Sequence, residues 1–335
     1  MSFPPSEIPL GAIRFNSDSQ KLEYWNGSAW MQIQTFTPNL DGGTRGIFGS
    51  GYSIPGGSGA NNINFVTIPT AGNATDFGDL QYGNAYRGAL ASNTRGIFVN
   101  GQNDQTTDFI TFSSTGNADT FGEITNDNMG GATFSNQIKG FRGGGSDAGS
   151  HTEQIIAMTI ATTGSFFDFG DLVENSTYMN GCGNPVRAII MGGANPSGDI
   201  NTIQYLSMGS EGDAVDFGDL TKTRKYISCL SNSTRAIAAG GGGGDGTTQN
   251  TMMEFVTIAS TGNAADFGDC SDTNGTNGSG NSSSPTRGIF AGFYPSPAKI
   301  DYIAFATQGD SVDFGDLNYH GYYGGACSNG HGGLG

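Results

Sequence analysis

Six copies of one motif at intervals of 44 to 50 residues, four strand-like segments per copy, and no helical-length stretch with apolar residues at three-four spacing predict an all-β protein. The expected architecture is a six-bladed β-propeller of four-stranded blades. Its ring is closed by the C-terminal strand pairing with the first blade, and a small N-terminal β-meander precedes it. Residues 1–43 form the meander and its linker; residues 44–335 form the repeats.

The N-terminal piece opens with the Pro-rich Met1-Ser2-Phe3-Pro4-Pro5. Three apolar runs follow: Ala12 to Phe15, Lys21 to Trp25 and Ala29 to Ile33. Asn16 to Ser19 and Asn26-Gly27 supply the turns, and Asn-Gly between two such runs is a strong hairpin signal. Both Trp residues lie here. A three-stranded meander of this size is marginal alone and must pack on the main domain, on copies of itself or on a partner. Thr35 to Gly43 reads as a linker.

The repeats are anchored on the Phe of an Asp-Phe-Gly-Asp signature, at Phe77, Phe121, Phe169, Phe217, Phe267 and Phe314, the second copy being the most diverged with Thr120-Phe121-Gly122-Glu123. A Gly stands five residues before each, and a basic residue opens each copy: Arg45, Arg95, Lys139, Arg187, Arg235 and Arg287. Within a copy, strand b follows the basic residue and is continuously apolar, as in Ala188 to Met191. Strand c is the run such as Asn64 to Ile68, and strand d carries the signature. Strand a, such as Gly88 to Ala91, is rich in small residues and lies nearest the axis, where large side chains would clash. The first copy starts at strand b and the last ends on an unpaired strand a, Tyr323 to Cys327, so the two ends of the repeat region pair.

Strand alternation puts the short a–b and c–d turns on one face and the variable b–c and d–a connections on the other. Rigid scaffolds carry recognition on such variable loops. The candidate ligand-binding residues there are Tyr52, Asp245, Gln249, Asn250, Asp272, Asn274, Tyr294 and Lys299. The chain enters the repeats on the regular face, so the meander is expected on the side opposite these loops.

Composition narrows the function. The net charge of −16, with only 14 Lys and Arg, disfavours nucleic-acid phosphates. No apolar run reaches membrane-spanning length, and no signal peptide is visible at the N-terminus. The three His (His151, His320, His331) have no metal-ligand spacing, and no catalytic Ser-His-Asp order is visible. Acidic pairs in Asn/Gly-rich loops suit calcium chemically, but neither EF-hand nor nonapeptide spacing is present. No cofactor, metal or catalytic residue is expected. The four Cys are expected to be buried free thiols. The signature reads as scaffold: Phe between blades, Gly for a bulge or close approach, carboxylates on turn amides or basic partners. The repeated basic residue is expected on a signature carboxylate or a nearby carbonyl, rather than in an axial anion site.

With the repeats laid out, two resemblances emerge. Gly192-Gly193 and Gly240-Gly241 after strand b are similar to kelch-type propellers, although the kelch Trp is absent and the signature Phe stands in for it. The repeat Thr-Arg-Gly-Ile-Phe … Thr-Gly-Asn-Ala-x-Asp-Phe-Gly-Asp-Leu resembles repeat proteins of tailed phages of marine bacteria, cyanophages in particular, and Gly11 to Trp30 resembles a module of phage fibres and virion appendages. The resemblances imply a non-enzymatic virion structural or tail-fibre protein. The meander would contact other virion proteins, and fibre-type modules imply a homotrimer. The propeller would display its variable face to a host envelope glycan or surface protein. The alternatives are a decoration protein with no receptor and, further off, a glycan-cleaving enzyme.

Overall fold

The computed structural model describes residues 8–16, 21–32, 44–49, 51–53, 59–99, 101, 105–124, 129–147, 149–164, 166–242, 251–272, 281–293, 298–319 and 321–334. The chain divides into two compact units, Met1–Gly43 and Thr44–Gly335. Among the described residues the structure is all-β apart from one short 3-10 turn, Gly332–Leu334.

The first unit is a three-stranded antiparallel sheet of Ile13–Asn16, Lys21–Trp25 and Trp30–Gln32. The Asn26-Gly27 turn forms because the Asn26 Oδ1 accepts from the Ser28 and Ala29 amides at 2.9 and 2.8 Å. Gly27 takes the positive φ of +98°. The turn expected over residues 17–19 lies outside the described residues.

The second unit contains six four-stranded antiparallel sheets among the described residues. Sheet 2 is typical: Gly88–Ala91, Arg95–Val99, Thr106–Thr111 and Asp119–Glu123 as strands a to d. Sheets 3 to 6 repeat the order from Ala132–Ser135, Asn180–Gly183, Ser228–Ser231 and Asn281–Ser283. Sheet 1 is completed from the far end of the chain: Gly325–Ser328 pairs with Arg45–Gly49, in register Gly325 with Gly49 and Ser328 with Gly46. The b strands are buried on both faces, which explains why they show no polar alternation. Three short pairs were not anticipated from sequence: Ser146–Asp147 with Ser150–His151, Ala194–Asn195 with Gly198–Asp199, and Tyr52–Ser53 with Gly321–Tyr322.

The core consists of apolar clusters, each shared by two consecutive sheets. One of them joins sheet 6 to sheet 1 through Ile289, Ile300, Phe314, Phe48 and Val66. The a strands also neighbour one another in sequence order, and Gly325–Ser328 lies against both Gly88–Ala91 and Asn281–Ser283.

The repeated motifs are what lock one sheet to the next. In each d strand the signature Phe is an extra residue opposite strand c: Ile203 pairs with Gly218 and Gln204 with Asp216, so Phe217 bulges inward. There it meets the strand-c aromatic edge-on, Tyr205 to Phe217 at 6.1 Å. The bulge frees Phe217 O to accept the Gly262 amide at 2.8 Å, and Asp219 N donates to the Asn263 side chain at 3.1 Å. Ala264 N completes the lock on Asp219 O at 2.9 Å. A Cβ on Gly218 would stand 2.5 Å from the Gly262 carbonyl, so the approach needs glycine. The same three contacts join sheet 6 to sheet 1, from Gly72, Ala74 and Asn73 to Phe314 and Asp316. The turn engages the backbone of the signature Asp, whereas the sequence suggested its carboxylate, on turn amides or basic partners.

Candidate binding face

Strand a begins, in four of the six sheets, two residues after a tyrosine: Tyr86, Tyr178, Tyr226 and Tyr323. All four have a φ of 57–59°, and no other described non-glycine residue has positive φ. The left-handed region is a genuine outlier for a bulky side chain. Neighbouring sheets hold it there: Tyr86 N donates to Tyr323 O at 2.8 Å, Tyr178 N to Gly130 O at 2.7 Å, and Tyr226 N to Tyr178 O at 2.9 Å. In sheet 3 the same place is taken by Gly130, φ +73°. A Cβ there would lie 2.7 Å from the Tyr178 ring, so the missing side chain makes room for that ring.

The four half-buried rings converge. Tyr86 and Tyr323 stack at 4.4 Å, and Tyr178 and Tyr226 lie 4.7 Å apart. Tyr226 to Tyr323 at 5.2 Å and Tyr86 to Tyr178 at 5.9 Å close the set. Tyr52 joins from the loop after the first b strand, edge-on to Tyr86 at 6.1 Å and to Tyr323 at 6.5 Å. Burial and the neighbouring phenols push the Tyr86 and Tyr226 hydroxyls well above their usual range, so they stay neutral. At the edge, Lys225 lies 5.7 Å from the Tyr226 ring and pairs with Asp199 at 2.9 Å. The four tyrosines line a cavity of about 60 Å³ together with Arg87, Thr133, Asn180 and other residues at the start of the a strands.

Buried polar groups fix the connections that carry these tyrosines. The third residue of strand c is polar in five sheets, and each side chain accepts a backbone amide of the d–a connection of the preceding sheet. Asn64 takes Asn318 N at 2.9 Å, Gln204 takes Val173 N at 2.9 Å, and Glu254 takes Thr221 N at 3.0 Å. Asp108 and Asp301 take Gln81 N and Ser271 N, each at 3.3 Å. Two of these carboxylates also hold a buried guanidinium. Arg87 meets Asp108 at 3.1 Å, both side chains fully buried. Arg224 meets Glu254 and donates to Gly240 O and Met252 O at 2.8 Å each. Desolvation lowers the Arg224 pKa despite Glu254 beside it. Both arginines lie within two residues of a cluster tyrosine in sequence, and so tie the connection to the sheet.

The opposite end is built differently. The last residue of strand a links adjacent sheets through its hydroxyl: Ser135 donates to Ala91 O at 2.8 Å and Ser231 to Gly183 O at 2.8 Å. The tail beyond Ser328 returns here, and His331 Nε2 sits 2.9 Å from Ala91 O and 3.2 Å from Ser135 Oγ. Burial lowers the His331 pKa to about 4. The basic residue that opens each copy also lies at this end. Arg187, Arg235 and Arg287 donate to Ile258 O, Phe305 O and Ile68 O of another sheet while covering Tyr205, Phe255 and Tyr302 of their own. These are carbonyl contacts, one of the two roles expected, and no signature carboxylate takes part in them.

Of the residues expected on the variable loops, Tyr52 stands in the tyrosine cluster. Lys299 opens strand c of sheet 6, where it bonds Ser271 Oγ and lies 3.5 Å from Asp301 and 5.4 Å from the Phe293 ring. Asp272 is half-buried just after the fifth d strand. Asp245, Gln249, Asn250, Asn274 and Tyr294 lie outside the described residues. The four αL tyrosines were missed. Their one sequence signal is a Tyr two residues before each of four small-residue strands. Among the described residues no group of three or more His, Cys, Asp or Glu could hold a metal ion, the four cysteines are free, and no helix is long and apolar enough to cross a membrane. No family model and no curated protein sequence matches the chain.

Proposed function

We propose that the six sheets are the blades of one β-propeller and that the chain is a non-enzymatic bacteriophage virion protein, an appendage component whose tyrosine face attaches to the host surface. The cyclic order of the sheets supports the fold reading: the same turn-on-bulge contact joins consecutive sheets at five of the six junctions, the junction of the last sheet with the first included. The resemblance of the repeats and of Gly11 to Trp30 to virion proteins supports the setting, with the meander joining other virion proteins. The tyrosine cluster carries the attachment reading. Four bulky side chains are held in a backbone conformation that costs each of them energy, at the centre of the face bearing the irregular connections. Neutral, half-exposed phenol rings offer apolar faces with a polar rim, which suits the sugar rings of an envelope glycan or an aromatic-binding patch on a surface protein.

The test is binding of the labelled full-length protein to host cells, with Tyr178→Gly and Tyr226→Gly as variants. Glycine keeps the left-handed backbone and removes only the ring. At least a tenfold loss of binding is expected from the double variant. Undiminished binding would remove the attachment role from this face. Absence of wild-type binding, with particles destabilised when the protein is missing, would make it a decoration protein.

A further inference from the structure

The N-terminal sheet has an inverted arrangement of its two faces. Cross-strand register puts Ile13 beside Tyr24, Phe15 beside Leu22 and Tyr24 beside Met31, so these five side chains share one face. They are the exposed ones, between 40% and 66% accessible. The other face carries the polar residues and is internally satisfied. Arg14 pairs with Glu23 at 2.8 Å, Asn16 donates to Glu23 at 3.0 Å, and Arg14 covers the Trp30 ring, which packs on Trp25. Glu23 is 5% exposed.

A single-layer sheet is stable only when its apolar face meets a second layer. We infer that the second layer is the same face of a second copy of this chain, packed sheet on sheet about a two-fold axis. Charge supports this occupant. The chain carries −16, yet this face holds no Asp, Glu, Lys or Arg, so no like charges are brought together within the contact itself, and a charged partner would find no counter-charge. Area supports it as well. Five large side chains at about half exposure offer roughly 400–500 Å² per copy, and two copies would bury on the order of 1,000 Å², the lower bound for a specific interface. An isologous contact is self-complementary by construction. The inference is independent of any host ligand on the larger unit.

The test is sedimentation of the full-length protein over roughly 1–100 µM, a span suited to a weak interface near the lower size bound. Wild type is expected to pass from monomer to dimer, and Phe15→Glu to stay monomeric throughout. Both tryptophans lie on the opposite face of this sheet, so unchanged Trp emission certifies that the variant sheet still folds. Should Phe15→Glu shift that emission, Met31→Glu at the edge strand replaces it. A monomeric wild type across the range would overturn the inference, as would a dimer that survives a folded charge variant, or a trimer.

Discussion

Tyr226 offers the sharpest test of the strained tyrosine ring. Its φ is 59°, its amide donates to Tyr178 O at 2.9 Å, and its ring meets Tyr178 and Tyr323. Replacing it by Ala or by Gly removes the same ring contacts, so the difference between the two variants isolates the backbone. A left-handed conformation costs an L-residue about 1–2 kcal/mol. The greater unfolded-state freedom of glycine offsets about 0.5–1 kcal/mol of that. Tyr226→Gly is therefore expected to be more stable than Tyr226→Ala by about 0.5–1 kcal/mol, the reverse of the usual order in a strand or helix. Equilibrium urea unfolding measures it, with the Gly variant showing the higher midpoint at equal slope. An Ala variant as stable as the Gly variant, or more so, would refute a left-handed backbone at this position.

Three further outcomes follow from the same geometry. Gly218→Ala drives a Cβ to 2.5 Å from the Gly262 carbonyl, and a loss of about 2–3 kcal/mol in urea unfolding is expected. Arg224→Met leaves Glu254 buried without its counter-charge, at a cost of about 3–5 kcal/mol. Glu254→Gln, which keeps an acceptor for Thr221 N, should cost less, and calorimetry ranks the two. His331 has its pKa lowered to about 4 from an ordinary 6.5, so below pH 6.5 the unfolded chain binds the proton first. Stability should fall as pH drops from about 6.5 to about 4 and then level off for this group, and His331→Gln should flatten that part of the pH–stability curve.

Much of the scaffold was legible because it repeats. A Phe-Gly pair recurring six times, with a Gly five residues ahead, marked both partners of the lock now seen between Phe217 and Gly262. The unpaired strand at the C-terminus foretold its pairing with Arg45–Gly49. The side chains that hold the candidate face were harder to read, for physical reasons. Gln204, Glu254 and Asp301 sit mid-strand, where alternation alone assigns them to solvent, and their partners are amides about 30 residues earlier in the chain. The tyrosines violate the rule that positive φ belongs to Gly or Asn, and the pattern is interrupted by Gly130, whose emptiness is itself part of the packing. His331 was hidden in a Gly-rich tail with no periodicity at all.

The central proposal is that the six sheets form one propeller and that its tyrosine end faces the host. A density map of an intact virion from the proposed phage source tests it most directly. The account predicts a six-bladed ring with Tyr86, Tyr178, Tyr226 and Tyr323 pointing away from the particle. A ring whose tyrosine end is buried against the particle, or a particle surface with no such ring, would contradict it.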